Sequence, residues 1–566
     1  MIMERSTTHT HTSPQSSWRG RFDLRRIRML VPVGFKTEIK ELSKLAGPVM
    51  VSQIMVFAVS FVSTVFCGHL GKTELAGVAL ATAVINVTGV SIGSGLSGAC
   101  DTLISQTFGS RNLLRVGVIL QRAILILLLA CFPCWAILIN TEPILLAIKQ
   151  DPEVARLSQM YVNVFMPALP ATFMYSLQSR YLQNQGIIWP QVITGIVVNL
   201  LNALTNYIFL HPLNLGVVGS AVANTISQFA MAGVLYAYII WKGLHKATWG
   251  GWSKECLQDW GSYIYLAIPS MVMLCVEWWT YEIGSFLAGL ISEVELGAQS
   301  VVYELANVAY MFPLGFSIAG NVRVGNALGA GDTEQAKLSA KLTVFCAGSV
   351  SVCLSILIGS LKDHISYVFT YDEQIRERVS DVITFYAPFI LLDAISAASG
   401  GIIRGAGKQK IGAICNIVGF YGIGFPIGVP LMFAAKLGIK GLWTGLFTCV
   451  FLQCSFLIFY VIKMNWKKAT VEAKMRAGVQ DSSTDTICTK LFAFLCPEPD
   501  DHPGDSQGQT DTIDLTESET GPPSGPVEWQ LSHRTLILRR GLALAFMLFI
   551  LAAGIIMNLL ITNLVT

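Results

Sequence analysis

The sequence predicts an all-α integral membrane protein: two six-helix lobes related as parallel repeats around a central cavity, plus a thirteenth, C-terminal transmembrane helix. Three observations carry that fold class. Hydrophobic residues make up 53% of the chain and charged residues only 13%, where a soluble chain holds about 25% charged residues. The apolar residues gather into runs of about twenty, the length that crosses a bilayer. Those runs also repeat, because a pattern in the first half returns 221 residues later in the second.

Taken in order, the spans centre on 45–66, 76–99, 116–139, 157–180, 187–210, 217–241, 262–290, 296–319, 341–361, 380–403, 411–433 and 441–462, and a last one follows at 541–561. The chain therefore divides into a polar basic arm (1–43), an N-lobe (44–242), a linker (243–260), a C-lobe (261–463), a polar loop (464–538) and the final span with the C-terminus (539–566). The loop is rich in Ser, Thr, Asp, Pro and Gly and reads as disordered. The arm carries Arg19, Arg21, Arg25, Arg26 and Arg28 and lacks the apolar core of a cleavable signal. The first span then serves as an uncleaved insertion signal.

Lysine and arginine set the orientation. The arm, Arg111/Arg115, Lys242/Lys246/Lys254, Arg323/Lys337/Lys341, Arg404/Lys408/Lys410 and Lys463/Lys467/Lys468 all fall on one side when spans alternate from a cytoplasmic N-terminus. Thirteen crossings leave Thr566 outside. The sequon Asn86-Val-Thr88 lies within a span, where no glycan is expected.

The repeat is specific. Leu45-Ala-Gly-Pro48-Val-Met50 matches Leu266-Ala-Ile-Pro269-Ser-Met271, and the same offset relates Asn86 to Asn307 and Pro167 to Pro388. Six spans per unit is an even number, so both units enter the membrane from the same side. They are parallel repeats about an axis along the membrane normal, an architecture of transporters that rock one half against the other.

The candidate chemistry lies in four acids inside apolar runs: Glu277, Glu282, Glu304 and Asp393. An ionisable group at the centre of a membrane helix costs roughly 2.5–3.5 kcal/mol on insertion scales. Such a group marks a site for an ion, a proton or a charged substrate. Their counterparts 221 residues earlier are Val56, Phe61, Ala83 and Thr172, so the acids belong to one lobe alone. Glu277 and Tyr281 share a helix face, with Trp278 adjacent; Glu282 is rotated about 140° from Glu277. Tyr303, Asn307 and Tyr310 form a stripe beside Glu304. Aromatic rings around carboxylates suit a desolvated cation. Gln53 and Asn86 are further candidates for lining the cavity. Asp101, near a span's end, is expected to cap locally or to pair with Arg111 or Arg115.

Other chemistries find no support. The sequence contains no phosphate-binding loop, no H-E-x-x-H and no metal-spaced Cys/His cluster, so no cofactor and no metal is expected. The thirteen cysteines lie mostly in apolar runs, and Cys131-Phe-Pro-Cys134 reads as packing. A net charge of +3 gives no reason to invoke nucleic acid. An acyl- or prenyl-transferase would need a membrane Asp/His set that is not present. A seven-helix receptor plan does not fit thirteen spans.

At these residues the chain resembles the multidrug and toxin extrusion family, in its animal form. The resemblance rests on Cys67-Gly-His-Leu-Gly71, Ala99-Cys-Asp-Thr-Leu-Ile-Ser-Gln106, Tyr303-Glu-Leu-Ala306, Val322-Arg-Val-Gly-Asn-Ala-Leu-Gly-Ala-Gly-Asp332, Gly400-Gly401 with Arg404-Gly-Ala-Gly407, and Asn465-Trp-Lys-Lys468. It covers nearly all of 40–470, and the thirteenth span favours the animal form. It implies an electroneutral antiporter, not an enzyme, that exchanges protons for small organic cations and cationic drugs. A plasma-membrane location at the apical face of epithelia, and a monomer in the lipid bilayer, follow from the same resemblance. The family's membrane acids carry over onto Glu277, Glu282 and Glu304, and its polar positions on the first two helices onto Gln53 and Asn86. Animal members carry glutamate at the fourth acidic position, where this chain has Asp393. Alternatives are a sodium-coupled drug antiporter, or a flippase for lipid-linked precursors. The flippase would want a basic central cavity, whereas this one is expected to be acidic.

The coupling expected is simple. A poorly hydrated carboxyl favours its protonated form, and a nearby cation favours the anion. Proton and organic cation then compete for the same acids.

Overall fold

The computed structural model describes residues 34–479 and 533–565, and all regular structure among them is helical. In chain order the helices are α1 (Phe35–Cys67), α2 (Lys72–Gly109), α3 (Leu113–Ile139), α4 (Pro152–Phe165 and Leu169–Gln183, joined by a 3-10 turn), α5 (Trp189–Leu210), α6 (Gly216–Lys242) and α7 (Trp260–Gly289). They continue with α8 (Glu293–Ala330), α9 (Thr333–Ser360), α10 (Glu373–Gly405), α11 (Gln409–Phe433), α12 (Ile439–Lys463), the short α13 (Trp466–Arg476) and α14 (His533–Val565). Twelve of these are long and apolar enough to cross a membrane. The fourth expected span, α4, reaches that length only as its two segments together.

The parallel repeat is visible in the packing. The first half of α1 leaves its own lobe, and Leu42 and Ala46 join a core with Phe316, Ala319 and Leu342. The first half of α7 does the reverse: Trp260, Tyr263, Leu266 and Ala267 join the N-lobe core. These are the two segments whose sequences match.

The lobes meet along a seam between the second half of α2 and the second half of α8. Here the contacts are reciprocal. A Cβ placed on Gly109 would overlap the backbone of Asn326, and one on Gly329 would overlap the carbonyl of Gln106. Gly109 and Gly329 are repeat partners at an offset of 220, as are Gln106 and Asn326. Reciprocal contact of this kind is the mark of a two-fold relation. Only glycine allows backbones this close, because any side chain would meet a carbonyl that cannot swing aside.

The seam lies at the end that carries the basic loops, and further bonds hold it. Gln106 Nε2 donates to the Gly405 carbonyl at 2.9 Å, and Thr102 Oγ1 to that of Arg404 at 2.5 Å. Glu38, 3% exposed, accepts from Arg323 Nε (2.9 Å) and Nη2 (2.5 Å), from Gln335 and from Ser339. The first part of α2 (Lys72–Ile85), at the opposite end, packs extensively only on N-lobe elements.

Two expectations need correction. Residues 464–538 are not uniformly irregular, because α13 occupies 466–476 and α14 begins at His533. Asn465 caps α13 by accepting from Lys468 N at 3.0 Å, and Trp466, Ala469, Thr470 and Ala473 form a buried stripe against the lobes. Glu472 ties α13 to Lys408 at 2.6 Å, and Arg476 Nη1 reaches Gln106 Oε1 at 3.4 Å. The arm likewise ends before α1 begins at Phe35; its arginines, and residues 480–532 of the loop, lie outside the described residues. The second correction concerns Asp101. It is 6% exposed and pairs neither with Arg111 nor with Arg115, but with Arg180 of α4, which also donates to Ser97 Oγ at 2.8 Å. Burial explains the difference: the loop arginines cannot follow Asp101 into the core.

Candidate functional site

Three helices of the C-lobe carry the four acids, and side-chain caps set the starts of α8 and α10. Ser292 caps α8 by accepting from Glu295 N at 3.1 Å, an S-x-x-E signature. Asp372 caps α10 by accepting from Gln374 N at 2.9 Å and Ile375 N at 3.3 Å. Helix α7 then places Glu277 and Glu282 five residues apart, which is about 7.5 Å along the axis at 1.5 Å per residue. All four acidic side chains are half-buried.

The acids form two pairs at two depths. Glu277 of α7 lies within electrostatic reach of Asp393 of α10, with the Tyr310 hydroxyl beside it. Glu282 of α7 lies within reach of Glu304 of α8, and Asn307 adjoins Glu304. Tyr303 Oη donates to Glu282 Oε1 at 3.4 Å. None of the four forms an ion pair with lysine, arginine or histidine among the described residues. Arg404 lies within electrostatic reach of Glu277 but forms no ion pair with it: Nε donates to the Gly400 carbonyl at 3.4 Å and Nη2 to the Ser317 hydroxyl at 3.2 Å.

A chain of aromatic contacts runs from beside the acids into the C-lobe core. Tyr303 and Tyr281 have ring centroids 5.9 Å apart, and Tyr281 lies 6.3 Å from Trp443. Trp443 in turn meets Tyr386 at 5.3 Å and Phe389 at 5.4 Å, both edge to face. Its indole donates to Gln299 Oε1 at 2.9 Å, so the buried ring is fixed in orientation. Ring faces beside carboxylates favour a positive guest, since the ring quadrupole attracts cations.

The structure thus brings together Glu277, Glu282, Glu304, Asp393, Tyr281, Tyr303, Asn307 and Tyr310. The rotation of Glu282 away from Glu277 resolves into a second pair. Trp278 is half-buried on α7. Gln53 and Asn86 are half-buried on α1 and α2, across the lobe boundary, and make no hydrogen bond to the acids among the described residues. Asn86 opens a π-helical turn, Asn86–Val90, a distortion frequent at functional sites. The indole of Trp279 crosses to that turn and donates to the Val87 carbonyl at 3.0 Å. Sequence reasoning missed Tyr386, Arg404 and Trp443. The first two had a signal: Tyr386, Asp393 and Arg404 are spaced by seven and eleven, which keeps them on one face of α10. Trp443 had none, because α12 approaches only through the tertiary fold.

The sequence profile of MatE matches residues 48–208 and again residues 269–429. The second match begins 221 residues after the first, so the profile reproduces the repeat. The chain belongs to the multidrug and toxin extrusion (MATE) family. MATE proteins are membrane transporters rather than enzymes, and the curated relatives span nearly the whole chain. Multidrug and toxin extrusion protein 1 of Danio rerio is 64% identical over 545 residues, covering 94% of this chain and 92% of its own length. The Homo sapiens protein of the same name is 51% identical, covering 95% and 96%. Among solved structures, the eukaryotic MATE transporter AtDTX14 superposes with a TM-score of 0.76 at 28% identity, over 78% of this chain and all of its own. An outward-facing MATE structure gives a TM-score of 0.67 at 17% identity, which is likeness of fold alone. As a MATE chain with at least twelve crossings, the protein is a multi-pass membrane transporter.

Proposed function

We propose that this MATE chain is a proton-coupled antiporter, which carries small organic cations and cationic drugs out of the cytoplasm by alternating access. The observation that carries the reading is the arrangement of four half-buried carboxyl groups as two pairs beside Tyr281 and Tyr303, with no ion pair to lysine, arginine or histidine among the described residues. Two carboxylates in reach of each other repel, so a pair holds a proton until a positive guest takes its place. Proton and drug are then exclusive ligands of the same pair, and each binding event drives the other off.

The closed seam supports an assignment of conformational state. With the basic loops cytoplasmic by the positive-inside rule, the lobes are shut toward the cytoplasm. The acid pairs of this state face the outside, where protons load and the drug departs. Opening the seam turns the protonated pairs to the cytoplasm, where they release the proton and bind the next cation.

Exchange of a labelled tetraalkylammonium ion tests the reading. Glu277→Gln is expected to reach the membrane and to lose exchange, since an amide can neither release a proton nor balance the cation. Near-normal proton-driven uptake by that variant removes Glu277 from the mechanism. Uptake that follows sodium instead of pH establishes the sodium-coupled reading.

A further inference from the structure

Helix α14 is held to α3 unevenly. At one end the fit is close: Asn140 Nδ2 donates to the Gly554 carbonyl at 3.1 Å, and Asn558 Nδ2 to that of Ile139 at 3.1 Å. At the basic-loop end the two helices part around a cavity of about 460 Å³. Its walls are apolar, built from Leu128, Phe132 and Trp135 of α3 and Leu544 of α14, with Pro170 at the back. Leu128 and Leu544 are exposed at the bilayer-facing perimeter.

The mouth is cationic. Arg540 is one helical turn from Leu544, and its guanidinium lies 4.1 Å over the Trp260 ring. Only its Nε is engaged, donating to the Leu257 carbonyl at 3.0 Å; neither terminal nitrogen meets a protein acceptor among the described residues. Arg539 is exposed beside it. Behind it Arg122, 7% exposed, has an Nε with no acceptor, and the carboxylate nearest to it, on Asp259, is 3.8 Å away. An apolar slot open to lipid tails, ending at an arginine with free donors, has the chemistry of an acyl chain continued into a phosphate. Arginine takes phosphate oxygens through two parallel N–H bonds. Basic pockets between membrane helices on the cytoplasmic side bind anionic head groups.

We propose that an anionic phospholipid, drawn from the leaflet at the basic-loop end, lays one acyl chain in the α3–α14 slot and sets its phosphate on Arg540. The lipid fills the gap that side chains leave and holds the last helix to the N-lobe.

The test is lipid binding to the purified full chain, by native mass spectrometry and by the rise in melting temperature in detergent. The probes are phosphatidylserine, phosphatidylcholine and the chain-less glycerophosphoserine. Phosphatidylserine is expected to bind at least fivefold better than phosphatidylcholine, and glycerophosphoserine to give no rise. Arg540→Ala is expected to cut that preference about fivefold, the worth of one basic residue near a membrane surface, while Arg540→Lys retains most of it. Leu128→Trp, which fills the slot, is expected to lower binding of both lipids and serves if the arginine variants do not fold. Equal binding of the two lipids, an equal effect of the chain-less head group, or wild-type binding by Leu128→Trp overturns the proposal.

Discussion

Replacing Gly329 by alanine tests how the two lobes close. The added methyl would sit on the Gln106 carbonyl, part of a buried helix backbone that cannot rotate away. Overpacking a tight contact costs about 1–3 kcal/mol, and a backbone obstacle puts this site toward the upper end. That cost exists only while the seam is shut. The gain in helix propensity from glycine to alanine, about 1 kcal/mol, applies in both states and cancels from the equilibrium between them. At about 1.4 kcal/mol per tenfold, the population open at the basic end is expected to rise roughly 5- to 150-fold. Ser105, fully buried against Gly325 in the seam, supplies the reporter as Ser105→Cys. Its labelling by a hydrophilic maleimide from the basic side is expected to accelerate by that factor when Gly329→Ala is added. Gly109→Ala is expected to do the same, because its contact with Asn326 is the symmetric copy. Unchanged labelling in both, or acceleration in only one, would refute the reciprocal seam.

Two further outcomes follow from single groups. Asp393→Glu is expected to keep measurable exchange of a labelled organic cation, because it retains the charge and adds one methylene to reach Glu277; Asp393→Asn is expected to lose exchange. If both variants transport alike, Asp393 is no member of the pair. Asp101→Asn is expected to cost stability rather than chemistry, about 3–5 kcal/mol from leaving Arg180 without its buried counter-ion. Melting of the detergent-solubilised protein checks this, and a normal melting temperature with altered ion coupling would move Asp101 into the transport site.

The crossings, the repeat and the acids were legible in the sequence because each rests on a local pattern. Runs of apolar residues, a 221-residue offset and charges stranded in lipid need no tertiary knowledge. The pairing of the acids was not legible. Glu277 and Glu282 lie on different faces of α7, and only the placement of α8 and α10 turns that into two sites. The same holds for Asp101, whose partner is 79 residues away on α4. Helix α13 was obscured by composition: Trp466–Arg476 is polar on average, and its buried stripe of Trp466, Ala469, Thr470 and Ala473 consists mostly of small residues. The exchange of first halves between α1 and α7 had a trace in the matching Pro48 and Pro269 segments. Sequence identity alone does not say that both cross to the other lobe.

The most direct test of proton coupling is flux of one labelled tetraalkylammonium ion into proteoliposomes under separately imposed gradients. An acidic interior without sodium is expected to drive uptake as protons leave, and reversing the pH gradient to reverse the flux. One pH unit is worth about 1.4 kcal/mol per proton, enough to sustain a tenfold cation gradient in a one-for-one exchange. Flux indifferent to pH and driven by sodium would contradict the account.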